Sequence, residues 1–149
     1  MSSSPAPMVI RIARDPDLAR CQVRVRAFAR QAGLDERGCW ELTIAVSEAA
    51  SNMLKYAGGG DVVLRYQEEP RFCIEFEAQD RGEGISQLEH AVQDQVSEGS
   101  DLRESFDPTA QRGLGLGLGA ISRMVDTVEI LDRPGGGTLV RGRKWLPAE

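Results

Sequence analysis

Three consecutive glycines, Gly58-Gly59-Gly60, divide this sequence into two patterns of different period. Each glycine costs a helix about 1 kcal/mol relative to alanine, so no helix runs through the three. Upstream, Leu42, Val46, Ala49, Ala50, Met53 and Leu54 recur at helical spacing, which predicts a helix from an Asp35 N-cap to about Tyr56. An earlier helix is predicted with Asp15 as N-cap, Pro16 in its first position, a stripe of Leu18, Val25, Ala29 and Ala32, and Gly33 as a left-handed C-cap. The run Met8–Ile12 before it is β-prone.

Downstream of the glycines the period becomes two. Asp61–Glu68 carries Val62, Val63, Leu64 and Tyr66, and Glu69-Pro70-Arg71 reads as a turn. Phe72, Ile74, Phe76 and Ala78 then alternate with Cys73, Glu75, Glu77 and Gln79, as in a strand with one face buried and the other wet or lining a site. The pair forms an antiparallel hairpin. A short helix is expected around Leu88–Val96, then a polar, acidic stretch over Ser97–Gln111. The ladder Gly113–Gly119 opens a helix over Ala120–Val125, and strands over Val128–Leu131 and Thr138–Trp145 flank a turn at Pro134–Gly137. Helices grouped beside hairpin-paired strands predict a two-layer α/β (α+β) sandwich: a mostly antiparallel, mixed sheet with helices on one face.

A chain of 149 residues has the length of one domain, here expected over 8–146 behind a floppy tail of 1–7. With 18 basic and 23 acidic side chains the net charge is −5, which argues against a partner read through its phosphate backbone. No apolar run approaches the roughly 20 residues that span a bilayer. Met1–Pro7 has neither the charged nor the apolar region of a signal peptide, so a cytoplasmic protein with no nucleic-acid or membrane partner is expected. Cys21, Cys39 and Cys73 form no Cys-x-x-Cys pair, and His90 is a lone histidine. Buried free thiols, a surface imidazole and no zinc site follow.

Three segments carry possible chemistry. Glu48, Asn52 and Lys55, spaced by four and three, share one face of the long helix, as a ligand-satisfied ridge or as an ordinary solvated face. Asp80-x-Gly82-x-Gly84 ends a strand, where a carboxylate accepts hydrogen bonds and glycines admit a flat ligand; a tight Asp-Gly turn fits equally well. Gly113, Gly115, Gly117 and Gly119 alternate before a helix N-terminus, a natural phosphate cradle or a hinge. No Gly-Lys-Ser/Thr follows, so this is not a Walker A loop, and the spacing is wrong for a dinucleotide fingerprint.

The three segments in this order resemble the nucleotide-binding boxes of the GHKL ATPase superfamily, which has the Bergerat ATP-binding fold. Ala45–Asn52 is similar to its N-box, Asp80–Ile85 to its first glycine box and Gly113–Leu118 to its second. Within the superfamily the chain looks like the small serine/threonine kinases of bacterial partner switching, the RsbW/RsbT type, and most like the RsbT-like switch kinases. The resemblance implies ATP- and Mg²⁺-dependent phosphorylation of a STAS-domain protein, with docking to a PP2C-type phosphatase as a further expectation. It implies Glu48 as general base, Asn52 as the Mg²⁺ ligand, Lys55 on a phosphate, and Asp80 and Thr138 on adenine. Gly82, Gly84, Gly113, Gly115 and Gly117 would shape the nucleotide pocket under a lid at about 97–112. The alternatives are an RsbW-like anti-sigma kinase that sequesters a sigma factor, and a non-catalytic nucleotide-binding docking module.

Overall fold

The computed structural model describes residues 4–80 and 118–147. The short helix expected near Leu88, His90, the 97–112 lid and glycines 82, 84, 113, 115 and 117 lie outside the described residues. The chain runs β1 (Met8–Ile12), α1 (Asp15–Ala32), α2 (Glu36–Ala57), β2 (Gly60–Gln67), β3 (Cys73–Asp80), α3 (Leu118–Met124), β4 (Thr127–Asp132) and β5 (Thr138–Trp145). The five strands form one sheet in the order β1-β2-β3-β5-β4. Every pairing among the described residues is antiparallel, in keeping with the mostly antiparallel sheet expected from the sequence.

The helix ends follow local chemistry. Asp35 caps α2, its Oδ1 accepting from the Gly38 N–H at 2.8 Å. Gly33 and Gly58 close α1 and α2 in the left-handed conformation, at φ of 108° and 80°. At the start of α1 the expectation was one residue late. The cap position is Arg14, Asp15 is already helical, and the capping carboxylate is Asp17, whose Oδ2 accepts from the Ala13 and Arg14 N–H groups at 2.9 and 3.0 Å. A carboxylate in the third helical position reaches back to these donors as well as an N-cap side chain reaches forward.

Strand alternation sorts the core. Ile10, Ile12, Val62, Leu64, Ile74, Phe76 and Ala78 point to the helical side. There they meet Cys21, Val25, Phe28 and Ala29 of α1, Leu42, Val46, Ala49, Ala50 and Met53 of α2, and Ile121 of α3. Arg26 of α1 lies 4.2 Å over the exposed Trp40 ring of α2, closing the outer side of the helix pair. Lys144 of β5 ties α3 and α2 to the sheet: its Nζ donates to Glu41 Oε1 at 2.6 Å and to the Met124 carbonyl at 2.8 Å. The three thiols are free and buried as expected, and burial pushes the Cys21 thiol up to about 11.

The opposite face of β3 is neither wet nor a site. Glu75 and Glu77 are 3% and 5% exposed, covered by arginines of the flanking strands. Arg65 of β2 reaches Glu75 and Glu77 at 3.4 and 3.3 Å; Arg141 and Arg143 of β5 reach Glu77 and Glu75, each at 3.0 Å. Alternation alone reports which face is polar; whether cross-strand partners then cover it depends on residues far away in sequence.

Two outcomes follow. Gly142 lies under Phe76, and a Cβ there would stand 2.3 Å from the ring. Gly142→Ala should therefore lower stability by about 1–3 kcal/mol, read from the urea midpoint, because the buried ring has no room to retreat. Burial would raise the Glu77 carboxyl, but hydrogen bonds from Gln79, Arg141 and Arg65 outweigh it and hold the group below its ordinary 4.5. A depressed folded value means the stabilisation is complete above about pH 4.5 and is lost as pH falls through the folded value. Unfolding curves against pH should thus steepen below that point, and Glu77→Gln should flatten the slope.

Candidate functional site

The C-terminal half of α2 lies over one end of the sheet, and Gly60 shows how closely. A Cβ at Gly60 would come 2.7 Å from Met53 Sδ and 2.9 Å from Asp80 Cα, and Gly60 pairs with Asp80 across β2 and β3. Asn52 immediately precedes Met53 on α2. Glu48 and Asn52 flank the buried Ala49–Met53 stripe and are half-buried; Lys55 is exposed in the last turn, its ammonium 5.3 Å from the Tyr56 ring centroid. A cation there also meets the negative end of the helix dipole.

Asp80 ends β3 and Thr138 opens β5, and both are buried, at 7% and 1% exposure. The structure joins them directly: the Thr138 N–H donates to Asp80 Oδ1 at 3.0 Å. The Thr138 hydroxyl is buried with no hydrogen-bond partner among the described residues. Leaving such a group unpaired costs about 1–3 kcal/mol, so a donor or acceptor that arrives with a ligand is its natural complement. A carboxylate beside an unpaired hydroxyl suits a flat heterocycle bearing an exocyclic amine next to a ring nitrogen.

Of the residues singled out from sequence, Asp80 and Thr138 are thus in contact, and the Glu48–Asn52 row belongs to the helix packed against their end of the sheet. Gly82, Gly84, Gly113, Gly115 and Gly117 fall outside the described residues. A cleft of about 300 Å³ at the other end of α2, lined by Asp35, Glu41, Asp126 and Lys144 among others, contains none of them. Sequence reasoning missed Arg133, whose Nη1 donates to the Asp80 carbonyl from the β4–β5 turn. The two residues are 53 positions apart, and no local pattern announces a bond of that span.

Comparison with known proteins shows what the chain as a whole is similar to. Residues 12–144 match the histidine kinase-like ATPase domain. The chain is 26% identical over 138 residues to the serine/threonine-protein kinase RsbT of Bacillus subtilis (strain 168), covering 92% of this chain and 95% of that one. Its fold is similar to that in the crystal structure of the SiaB-SiaC complex from Pseudomonas aeruginosa, with a TM-score of 0.55 and 13% identity over 92% of this chain and 88% of that one. A match that takes in both long helices and nearly all of the sheet leaves little of the described fold outside it: the chain belongs to the histidine kinase-like ATPase domain family.

Proposed function

We propose that the chain is an ATP- and Mg²⁺-dependent serine/threonine protein kinase of a bacterial partner-switching pathway, and that it phosphorylates a STAS-domain regulatory protein in the cytoplasm. The observation that carries this is the buried Asp80–Thr138 pair, with its unpaired hydroxyl, at the sheet end over which the Glu48–Asn52 helix packs. The serine/threonine-protein kinase RsbT, similar over nearly the full chain, supports the activity. The SiaB-SiaC complex, in which a similar fold is assembled with a second protein, supports a protein partner. A PP2C-type phosphatase is a further partner of the same kind.

The residues present suit ATP. Asp80 accepts from the exocyclic amine of adenine, and the Thr138 hydroxyl gains the partner it lacks. The Asn52 side-chain oxygen would serve as a hard ligand for Mg²⁺. Lys55 meets a phosphate. Bound MgATP supplies the transferable phosphoryl group and the neutralisation of its charge. Glu48 is the general base: its carboxylate takes the proton from the substrate Ser or Thr hydroxyl as that oxygen bonds the γ-phosphorus, the bond from that phosphorus to the bridging oxygen breaks and ADP leaves. Asp80 and Thr138 hold the base, so that the phosphate end extends toward the helix row.

Two outcomes test this. Glu48→Ala should slow transfer of ³²P from ATP to STAS proteins by about 10²–10⁴ and leave ATP affinity nearly unchanged, whereas Asn52→Ala should weaken Mg²⁺-ATP binding itself. Wild-type transfer by Glu48→Ala would remove the base from the mechanism. Thr138→Val should leave the urea midpoint of the free protein equal or higher, since an unpaired buried hydroxyl is removed, and should weaken ATP binding. A large loss of stability without loss of ATP affinity would mean that the hydroxyl serves the fold instead.

A further inference from the structure

Backbone pairing between β3 and β5 ends at Gln79 and Leu139. One residue further, Asp80, which also pairs with Gly60 on the β2 side, is bonded to the two flanks of the β4–β5 turn: its Oδ1 accepts from the Thr138 N–H at 3.0 Å, and its carbonyl accepts from Arg133 Nη1. Arg133 and Thr138 stand on the two sides of the β4–β5 turn, Pro134–Gly137, in which Gly135, Gly136 and Gly137 all have left-handed φ of 85°, 112° and 98°. Two backbone bonds of 3.0 Å close that turn, from the Arg133 N–H to the Gly137 carbonyl and from the Gly136 N–H to the Arg133 carbonyl. Three glycines in a row give the turn little stiffness of its own. The Thr138 side is joined to Asp80 by one hydrogen bond, and the Arg133 side adds a second from a cationic donor, the stronger kind.

We propose that Arg133 is a positioning residue for nucleotide-base selection. By bonding the Asp80 carbonyl it fixes the end of β3 against the glycine turn, and so holds the Asp80 carboxylate and the Thr138 hydroxyl at one spacing for the amine-bearing edge of adenine. The inference rests on the adenine role proposed above for Asp80 and Thr138. Arg133 acts through Asp80, so its removal should change which base is preferred rather than abolish nucleotide binding.

Calorimetric titration of the full chain with ATP and with inosine triphosphate, which carries an oxo group where adenine carries its amine, separates these roles. Arg133→Ala should weaken ATP binding about tenfold, the scale of one charge-assisted hydrogen bond, while affinity for inosine triphosphate stays within about twofold. Arg133→Lys, which keeps a cationic donor, should restore most of the ATP preference. Should Arg133→Ala fail to fold, Arg133→Gln carries the same comparison, again with a falling ratio of ATP to inosine triphosphate affinity. Unchanged ATP affinity would overturn the proposal, and so would an equal loss for both nucleotides, the signature of a merely less stable protein. Asp80→Asn distinguishes the failure of the underlying assignment: if wild type shows no preference for ATP, or Asp80→Asn leaves that preference intact, the adenine role of Asp80 is wrong and the role of Arg133 falls with it.

Discussion

The central strand β3 carries two carboxylates, Glu75 and Glu77, that are almost completely buried although they point away from the helices. Buried charge is tolerated only when paired, and here the partners are supplied by strands on both sides: Arg65 from β2, Arg141 and Arg143 from β5. This requirement fixes the register of three strands at once. A slip of one residue would turn the acids into the apolar layer and Phe76 outward, so the ion pairs and the core demand the same alignment. The alignment also brings Asp80, three residues beyond Glu77, to the strand end where the Thr138 N–H meets its carboxylate.

The helical layer imposes the second condition. α2 spends one side on the sheet through Leu42, Val46, Ala49, Ala50 and Met53, and what flanks that stripe near its C-terminus is Glu48 and Asn52. Gly60 allows the close approach, since Met53 and Asp80 occupy the space where a side chain would be. The same packing that buries the core brings the C-terminal half of α2, which carries Glu48 and Asn52, against the Asp80 end of the sheet. In the proposed kinase this separates the labour: strand ends recognise the base, and the helix row handles the phosphate end and the proton.

Much of this was legible in the sequence, and the parts that were not share a cause. Asp35, Gly33 and Gly58 act where their local chemistry says they should, because a cap needs only residues three or four positions away. The hairpin of β2 and β3 was visible for the same reason. The start of α1 was displaced by one residue because Asp17 does the capping expected of Asp15. The second face of β3 was misjudged because its arginine cover comes from strands up to 68 residues away, and Arg133 was overlooked because it reaches Asp80 across 53. Of the candidate site, Asp80 was picked out as the start of a strand-end Asp-x-Gly-x-Gly and Thr138 only through a family resemblance; no sequence pattern brings the two together. Their direct hydrogen bond is a product of the sheet order.

The central claim is that the Asp80–Thr138 end of the sheet receives adenine. A crystal structure of the chain with ADP and Mg²⁺ tests it most directly. The account predicts the adenine amine within hydrogen-bond distance of the Asp80 carboxylate, the Thr138 hydroxyl newly paired, and the phosphates on the Glu48–Asn52 side of α2. Adenine bound elsewhere, with the Thr138 hydroxyl still unpaired, would contradict it.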